Sequence, residues 1–240
     1  LKKDFKIGKR DALIIVDVQN DFCPGGALPV PEGEQVIPAL NDYIKIFKKA
    51  NTKIFASRDW HPANHISFKA QGGPWPPHCI QDTEGARFHP DLRLPRGTII
   101  VSKAMDPHKE AYSGFSGTEL AKTLQKEGVT RVFVGGLATD YCVKNTVLDA
   151  RELGFETVLL LDAVRGINAK PDDAAKAVDK MINNGAEQAA LTDFADLFEV
   201  PSADDRDDEL DDKPLSKVET KKKARMRPRG PYKRIRTERG

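Results

Sequence analysis

Leu13-Ile14-Ile15-Val16, closed by Asp17, is a short apolar run without polar alternation. It reads as a strand buried on both faces, the kind found inside a parallel sheet. The pattern downstream repeats the theme. Val36, Ile37, Leu40, Tyr43, Ile44 and Phe47 recur at helical spacing over residues 34–50, with Pro38 close enough to the start to be tolerated. Residues 53–57 and 98–102 read as strands, and residues 117–127 as a helix capped by Ser116 or Thr118. Val132-Phe133-Val134 is a strand running into Gly135-Gly136, followed by a helix over 140–153 that Gly154 closes. A strand over 158–161 ends at Asp162. A helix over 171–184 has Pro171 in its first turn and Gly185 behind it, and residues 188–191 form a last short strand. This alternation predicts an α/β fold: an open, mostly parallel sheet of about six strands with helices on both faces, three layers in all.

The whole chain has 240 residues, 39% hydrophobic and 31% charged, enough for one packed domain with some chain to spare. No stretch reaches the ~18 apolar residues of a membrane span. Leu1-Lys2-Lys3-Asp4-Phe5-Lys6 has no apolar core of the secretory type. Three scattered cysteines (Cys23, Cys79, Cys142) do not make a disulfide framework, which predicts a reducing, cytoplasmic setting. The net charge of +2 conceals an asymmetry: residues 204–212 carry seven acids and one Arg, while residues 213–240 carry twelve bases and two acids. Such blocks bury too little apolar surface to fold. The expected organisation is a folded domain over 1–199 and a disordered charged tail over 200–240.

In an open parallel sheet, ligands bind beyond the carboxyl ends of the strands. Asp17 ends the first strand, Asp59 and His61 follow the second, Lys103 follows the third, and Gly135 to Cys142 follow the fourth. Cys142 falls in the first turn of a predicted helix, where free amides favour a thiolate and could hold an oxyanion. A lysine nearby would lower the thiol pKa further, and a carboxylate could take its proton. The bland alternatives are a buried structural cysteine, an Asp that caps a turn and a solvated Lys. Residues 58–97 hold six of the prolines and four of the five histidines, and loops this long inside compact domains usually serve function. Asp59, His61 and His78 are a plausible donor set for Zn²⁺, Fe²⁺ or Mn²⁺, with His65 as a fourth ligand or supporting donor. Structural histidines are the alternative, because the spacing matches no zinc-finger or zincin pattern. Cys23 and Cys79 read as structural, and His89 and His108 as surface or packing residues.

Five stretches carry a resemblance: Asp17-Val18-Gln19-Asn20-Asp21-Phe22, Arg58-Asp59-Trp60-His61-Pro62, Gly72-Gly73-Pro74-Trp75-Pro76-Pro77-His78-Cys79, Ile100-Val101-Ser102-Lys103 and Gly136-Leu137-Ala138-Thr139-Asp140-Tyr141-Cys142-Val143. Together, over about residues 10–198, the chain resembles the nicotinamidase (pyrazinamidase-like) branch of the isochorismatase-like cysteine hydrolases. The resemblance implies a triad of Cys142 as nucleophile, Asp17 as proton acceptor and donor, and Lys103 as electrostatic partner. It implies one divalent metal, zinc first and iron or manganese next, on Asp59, His61 and His78. It implies a cis peptide at Leu137-Ala138, an oxyanion hole from the amides of Ala138 and Cys142, and Phe22 and Trp75 as walls of the substrate pocket. The implied reaction is hydrolysis of nicotinamide to nicotinate and ammonia through a cysteine thioester, a step of NAD salvage. The tail matches nothing in the family pattern.

Three rivals stand beside this reading. Another amide hydrolase of the same fold, acting on a ureido or carbamoyl substrate, would need no pyridine anchor. A nucleic-acid-binding protein could use residues 213–240 for weak, salt-sensitive phosphate contact. A redox sensor at Cys142 would leave Lys103, Trp75 and the metal donors without a role. A homo-oligomer is compatible with all of these.

Overall fold

In a computed structural model, residues 5–197 are described. The expected domain boundary at 199 and the tail over 200–240, with its basic segment 213–240, lie outside the described residues. Six strands form one sheet: β1 (Asp11–Val16), β2 (Lys53–Asp59), β3 (Ile99–Lys103), β4 (Arg131–Leu137), β5 (Glu156–Arg165) and β6 (Glu187–Ala189). Their order is β3-β2-β1-β4-β5-β6, and every pairing is parallel. Four helices cover it: α1 (Val36–Lys49), α2 (Leu120–Lys126), α3 (Lys144–Glu152) and α4 (Asp173–Asn183).

The two-sided burial read from Leu13 to Val16 is complete. Leu13 and Ile15 pack with Leu40, Tyr43, Ile44 and Phe47 of α1 on one face. Ile14 and Val16 pack with Leu120 and Leu124 of α2, Val147 of α3 and Met181 of α4 on the other. Each such side chain contributes roughly 1.5–3 kcal/mol of burial. Strand β1 therefore sits at the centre of the sheet, with β2 on one side and β4 on the other. The order reverses between β1 and β4, and that switch point opens a crevice at the carboxyl edge. Close approach there depends on Gly136, at φ +123°, whose absent Cβ would collide with the Val16 backbone.

Several boundaries differ from the sequence reading. β2 and β3 each run further, to Asp59 and Lys103, so these residues stand on the strands instead of after them. α2 starts at Leu120, because the chain turns at Gly117 (φ +69°) and Thr118 first bonds back to the Gly114 carbonyl (2.6 Å). The expected helix over 140–153 opens as a wide π-helical turn, Thr139–Val143, before α3 begins. α4 begins at Asp173, leaving Pro171 outside it. β5 continues through Asp162, whose carboxylate is met by the Tyr43 hydroxyl (2.8 Å) and the Leu191 amide (2.8 Å). An acid that looks like a strand end in sequence is thus accommodated inside the strand. β6 covers 187–189, earlier and shorter than read. Among the described residues no helix is long and apolar enough to cross a membrane.

Candidate active site

Four strand ends meet at the crevice. Asp59 and Lys103 are register partners on β2 and β3, so their side chains leave the sheet side by side. Asp17 follows β1 in the left-handed region, φ +49°, which turns the chain away from the strand direction. Cys142 sits in the π-helical turn after β4, beyond a cis Leu137–Ala138 peptide. Lys103, only 1% exposed, is the hub. Its Nζ lies 2.9 Å from Asp17 Oδ2 and 3.5 Å from Cys142 Sγ, donates to the Ala111 carbonyl at 3.1 Å, and contacts Asp59 Oδ1 directly. The Ser57 hydroxyl donates to Asp17 Oδ1 at 2.6 Å.

Burial and charge compete at each of these groups. Burial works against the Lys103 ammonium, but the Asp17 and Asp59 carboxylates outweigh it and hold its pKa well above the usual lysine value. Burial raises the Asp17 carboxyl above the ordinary range, Lys103 opposing and Asp59 adding to the rise. At Asp59 burial is overcome by Lys103 and His61, so this carboxyl stays well below that range. Burial pushes the Cys142 thiol well up, with Lys103 opposing and Asp17 and Asp59 reinforcing the rise. The helix start and the lysine each pull toward a thiolate, as the sequence implies. Desolvation outweighs the lysine and favours the protonated thiol.

The second cluster adjoins the first. One donor atom each from Asp59, His61 and His78 lies within 4.8 Å of the others, and all three residues are buried. His78 Nδ1 is 2.8 Å from the Pro76 carbonyl, which only accepts, so Nδ1 carries the proton and Nε2 keeps its lone pair. His61 is 1% exposed, and neither ring nitrogen has a hydrogen-bond partner among the described residues. An imidazole buried in that state is costly unless something else satisfies it. Two imidazoles and a carboxylate fit a divalent cation of the zinc, iron or manganese type. His65 does not join them. Its Nε2 is 3.0 Å from the Lys109 carbonyl and its Nδ1 2.7 Å from the Ser67 hydroxyl, so both nitrogens are engaged and the ring packs against His61 at 4.3 Å. His65 thus stands beside the donor set with its ring against His61.

Phe22, Leu28, Asp59, Trp75, His78, Tyr112, Ala138, Tyr141, Cys142 and Ile167 line a narrow cleft between the two clusters. Phe22 and Trp75 were anticipated. Tyr112 and Ile167 were not: Tyr112 lies in a segment without periodicity, and Ile167 is brought in by Asp140, which accepts from the Ile167 and Asn168 amides at 2.9 and 2.8 Å. Trp75 Nε1 donates to the Tyr112 hydroxyl (3.0 Å), and its ring meets Tyr141 edge-on at 5.1 Å. Cys23 and Cys79 are buried free thiols, burial and then Glu34 pushing Cys23 up to about 11, while the Cys79 carbonyl accepts from the His61 amide at 2.9 Å.

The isochorismatase domain profile matches residues 11–193. The chain belongs to the isochorismatase family. Within that family it is 40% identical over 204 residues to a nicotinamidase of Escherichia coli, an alignment spanning 76% of this chain and 96% of the relative. Its fold superposes with a TM-score of 0.73 on a zinc-complexed pyrazinamidase of Pyrococcus horikoshii, at 55% identity over 75% of this chain and 99% of that one. A TM-score of 0.73 also links it to PnC1 from L. infantum in complex with nicotinate, at 34% identity over 79% of this chain and 98% of that one. The isochorismatase-family fold thus accounts for the six parallel strands and the placement of the cleft at their carboxyl edge.

Proposed function

We propose that this protein hydrolyses nicotinamide to nicotinate and ammonia through a thioester on Cys142. The observation that carries the reading is that Cys142 and Asp17 both meet Lys103, at 3.5 and 2.9 Å, and lie within 4.8 Å of each other, beside a buried two-His, one-Asp donor set and an aromatic-walled cleft. Phe22 and Trp75 bury the faces of the pyridine ring. Asp59, His61 and His78 would hold a divalent cation, zinc foremost, which when bound supplies Lewis-acid polarisation of the ring nitrogen.

The Asp17 carboxylate, whose pKa burial raises, takes the Cys142 proton as the sulfur bonds to the carboxamide carbon. The carbonyl electron pair moves onto oxygen, where the Ala138 and Cys142 amides receive it. Losing one such donor costs about 2.7–4 kcal/mol of barrier. Asp17 returns the proton to the departing nitrogen, and ammonia leaves as the thioester forms. Asp17 then accepts a proton from the attacking water, nicotinate departs, and the proton goes back to sulfur. Lys103 offsets the charge on Asp17 and Asp59 throughout. We infer that this domain occupies residues 1–199, with the charged tail of 200–240 apart from the chemistry, and that it works in the reducing cytoplasm as one step of NAD salvage.

The rival ureido or carbamoyl hydrolase shares the triad but gives Asp59, His61 and His78 no task. Ammonia release from nicotinamide, measured with and without chelator and against a carbamoyl compound, separates the two. The expected result is release that chelation abolishes and zinc restores. Release only from the carbamoyl compound would make the rival correct, and full release from a protein shown to be metal-free would remove the cation from the reaction.

A further inference from the structure

The first motif contains a residue to which the chemistry above assigns no role. Gln19 is completely buried two positions beyond Asp17. β1 and β2 pair in register as far as Val16 and Ser57, and the Asp17 amide still donates to the Ser57 carbonyl at 3.1 Å. One more step of a parallel ladder would bring the Asp59 amide onto the Asp17 carbonyl. That bond is not made, because Asp17 turns at φ +49° and its carbonyl accepts from the Gln19 amide instead, at 2.9 Å. Asp59 would lose its neighbour just where its carboxylate has to be held.

The Gln19 side chain fills the gap. Its Oε1 accepts from the Asp59 amide at 2.8 Å, and its Nε2 donates to the Asp59 carbonyl at 2.8 Å. A primary amide carries the same donor and acceptor as a peptide group, so it can stand in for a strand. The same Nε2 donates to the Ala86 carbonyl at 2.8 Å, tying the loop after the histidines into the arrangement. On its other side Asp59 is paired with Lys103 of β3. We propose that Gln19 is a positioning residue whose amide replaces β1 beside Asp59, letting Asp17 turn toward Lys103 while Asp59 stays aimed at the cation site. This rests on the reading of Asp59 as a cation ligand. Glutamine suits the task because a carboxylate could not donate to the two carbonyls, and asparagine is one methylene too short.

The test is cobalt(II) binding to the full-length protein after chelation, followed by competition with a chromophoric chelator and by the visible spectrum of the bound ion. Gln19→Met keeps the length and removes the hydrogen bonds, and Gln19→Asn keeps the amide and shortens its reach. Loss of a supporting partner weakens metal affinity roughly 10–100-fold. A rise of that size in the cobalt Kd, with an altered spectrum at saturation, is expected for both variants. If Gln19→Met does not fold, Gln19→Asn decides alone. A variant with the parent's Kd and spectrum overturns the proposal, even if its melting temperature falls, because Gln19 would then be structural only. A parent protein that binds no cobalt overturns the cation reading and this inference with it, whereas parental binding with unchanged variants overturns this inference alone.

Discussion

Lys103→Met removes the only cation in contact with two buried carboxylates among the described residues, while keeping most of the side-chain volume. Donor atoms of Asp17 and Asp59 lie within 4.8 Å of each other. At that separation and an effective dielectric of about 20, two negative charges repel by at least ~3.5 kcal/mol. The alternative is for one carboxyl to take up a proton, which at pH 7 costs about 4 kcal/mol from an ordinary pKa of ~3.9. Both routes agree with the ~3–5 kcal/mol typical of breaking a buried ion pair from one side. The sign with pH follows. In the variant one carboxyl has a folded pKa above its unfolded value, so acidification restores stability, and at pH 5 the protonation cost shrinks to about 1.5 kcal/mol. Urea denaturation of parent and variant, both in chelator, at pH 7 and pH 5 measures the two deficits. A deficit below ~1 kcal/mol at pH 7, or one that does not shrink at pH 5, would refute the account of Lys103 as the charge that holds the cluster together.

Cys142→Ala is expected to abolish ammonia release while leaving nicotinamide binding by calorimetry near the parent value, and retained turnover would exclude the thioester. His61→Ala should lower bound metal in elemental analysis and raise KM; unchanged stoichiometry would mean the ligands are misassigned. Turnover should fall on acidification with a midpoint above 3.8, the ordinary Asp value, because burial raises the acceptor Asp17, and a rate that stays flat below that point would contradict the assignment. Gly136→Ala forces a Cβ into the Val16 backbone, so it should cost at least ~3 kcal/mol by denaturant unfolding, and a neutral effect would show that β1 and β4 can separate at no cost.

Local chemistry was enough for the strands and helices, because the burial of β1 on both faces leaves an apolar run and the burial of α1 on one face leaves helical spacing. It was enough, too, for the identity of the polar residues at the strand ends, since a charged side chain at the end of an apolar run is visible without coordinates. What tertiary structure alone decided is how those residues are held and charged. The partnership of Asp59 with Lys103 is a register between strands 44 residues apart, and register is set by pairing that no local pattern contains. The upward push on the Cys142 thiol follows from burial outweighing the lysine, and burial is a property of everything packed around the sulfur. The engagement of both His65 nitrogens depends on a carbonyl from Lys109 and a hydroxyl from Ser67, and the role proposed for Gln19 depends on where β1 stops pairing. A residue type announces which bonds it is able to make, but which of them form is settled by the neighbours the fold supplies.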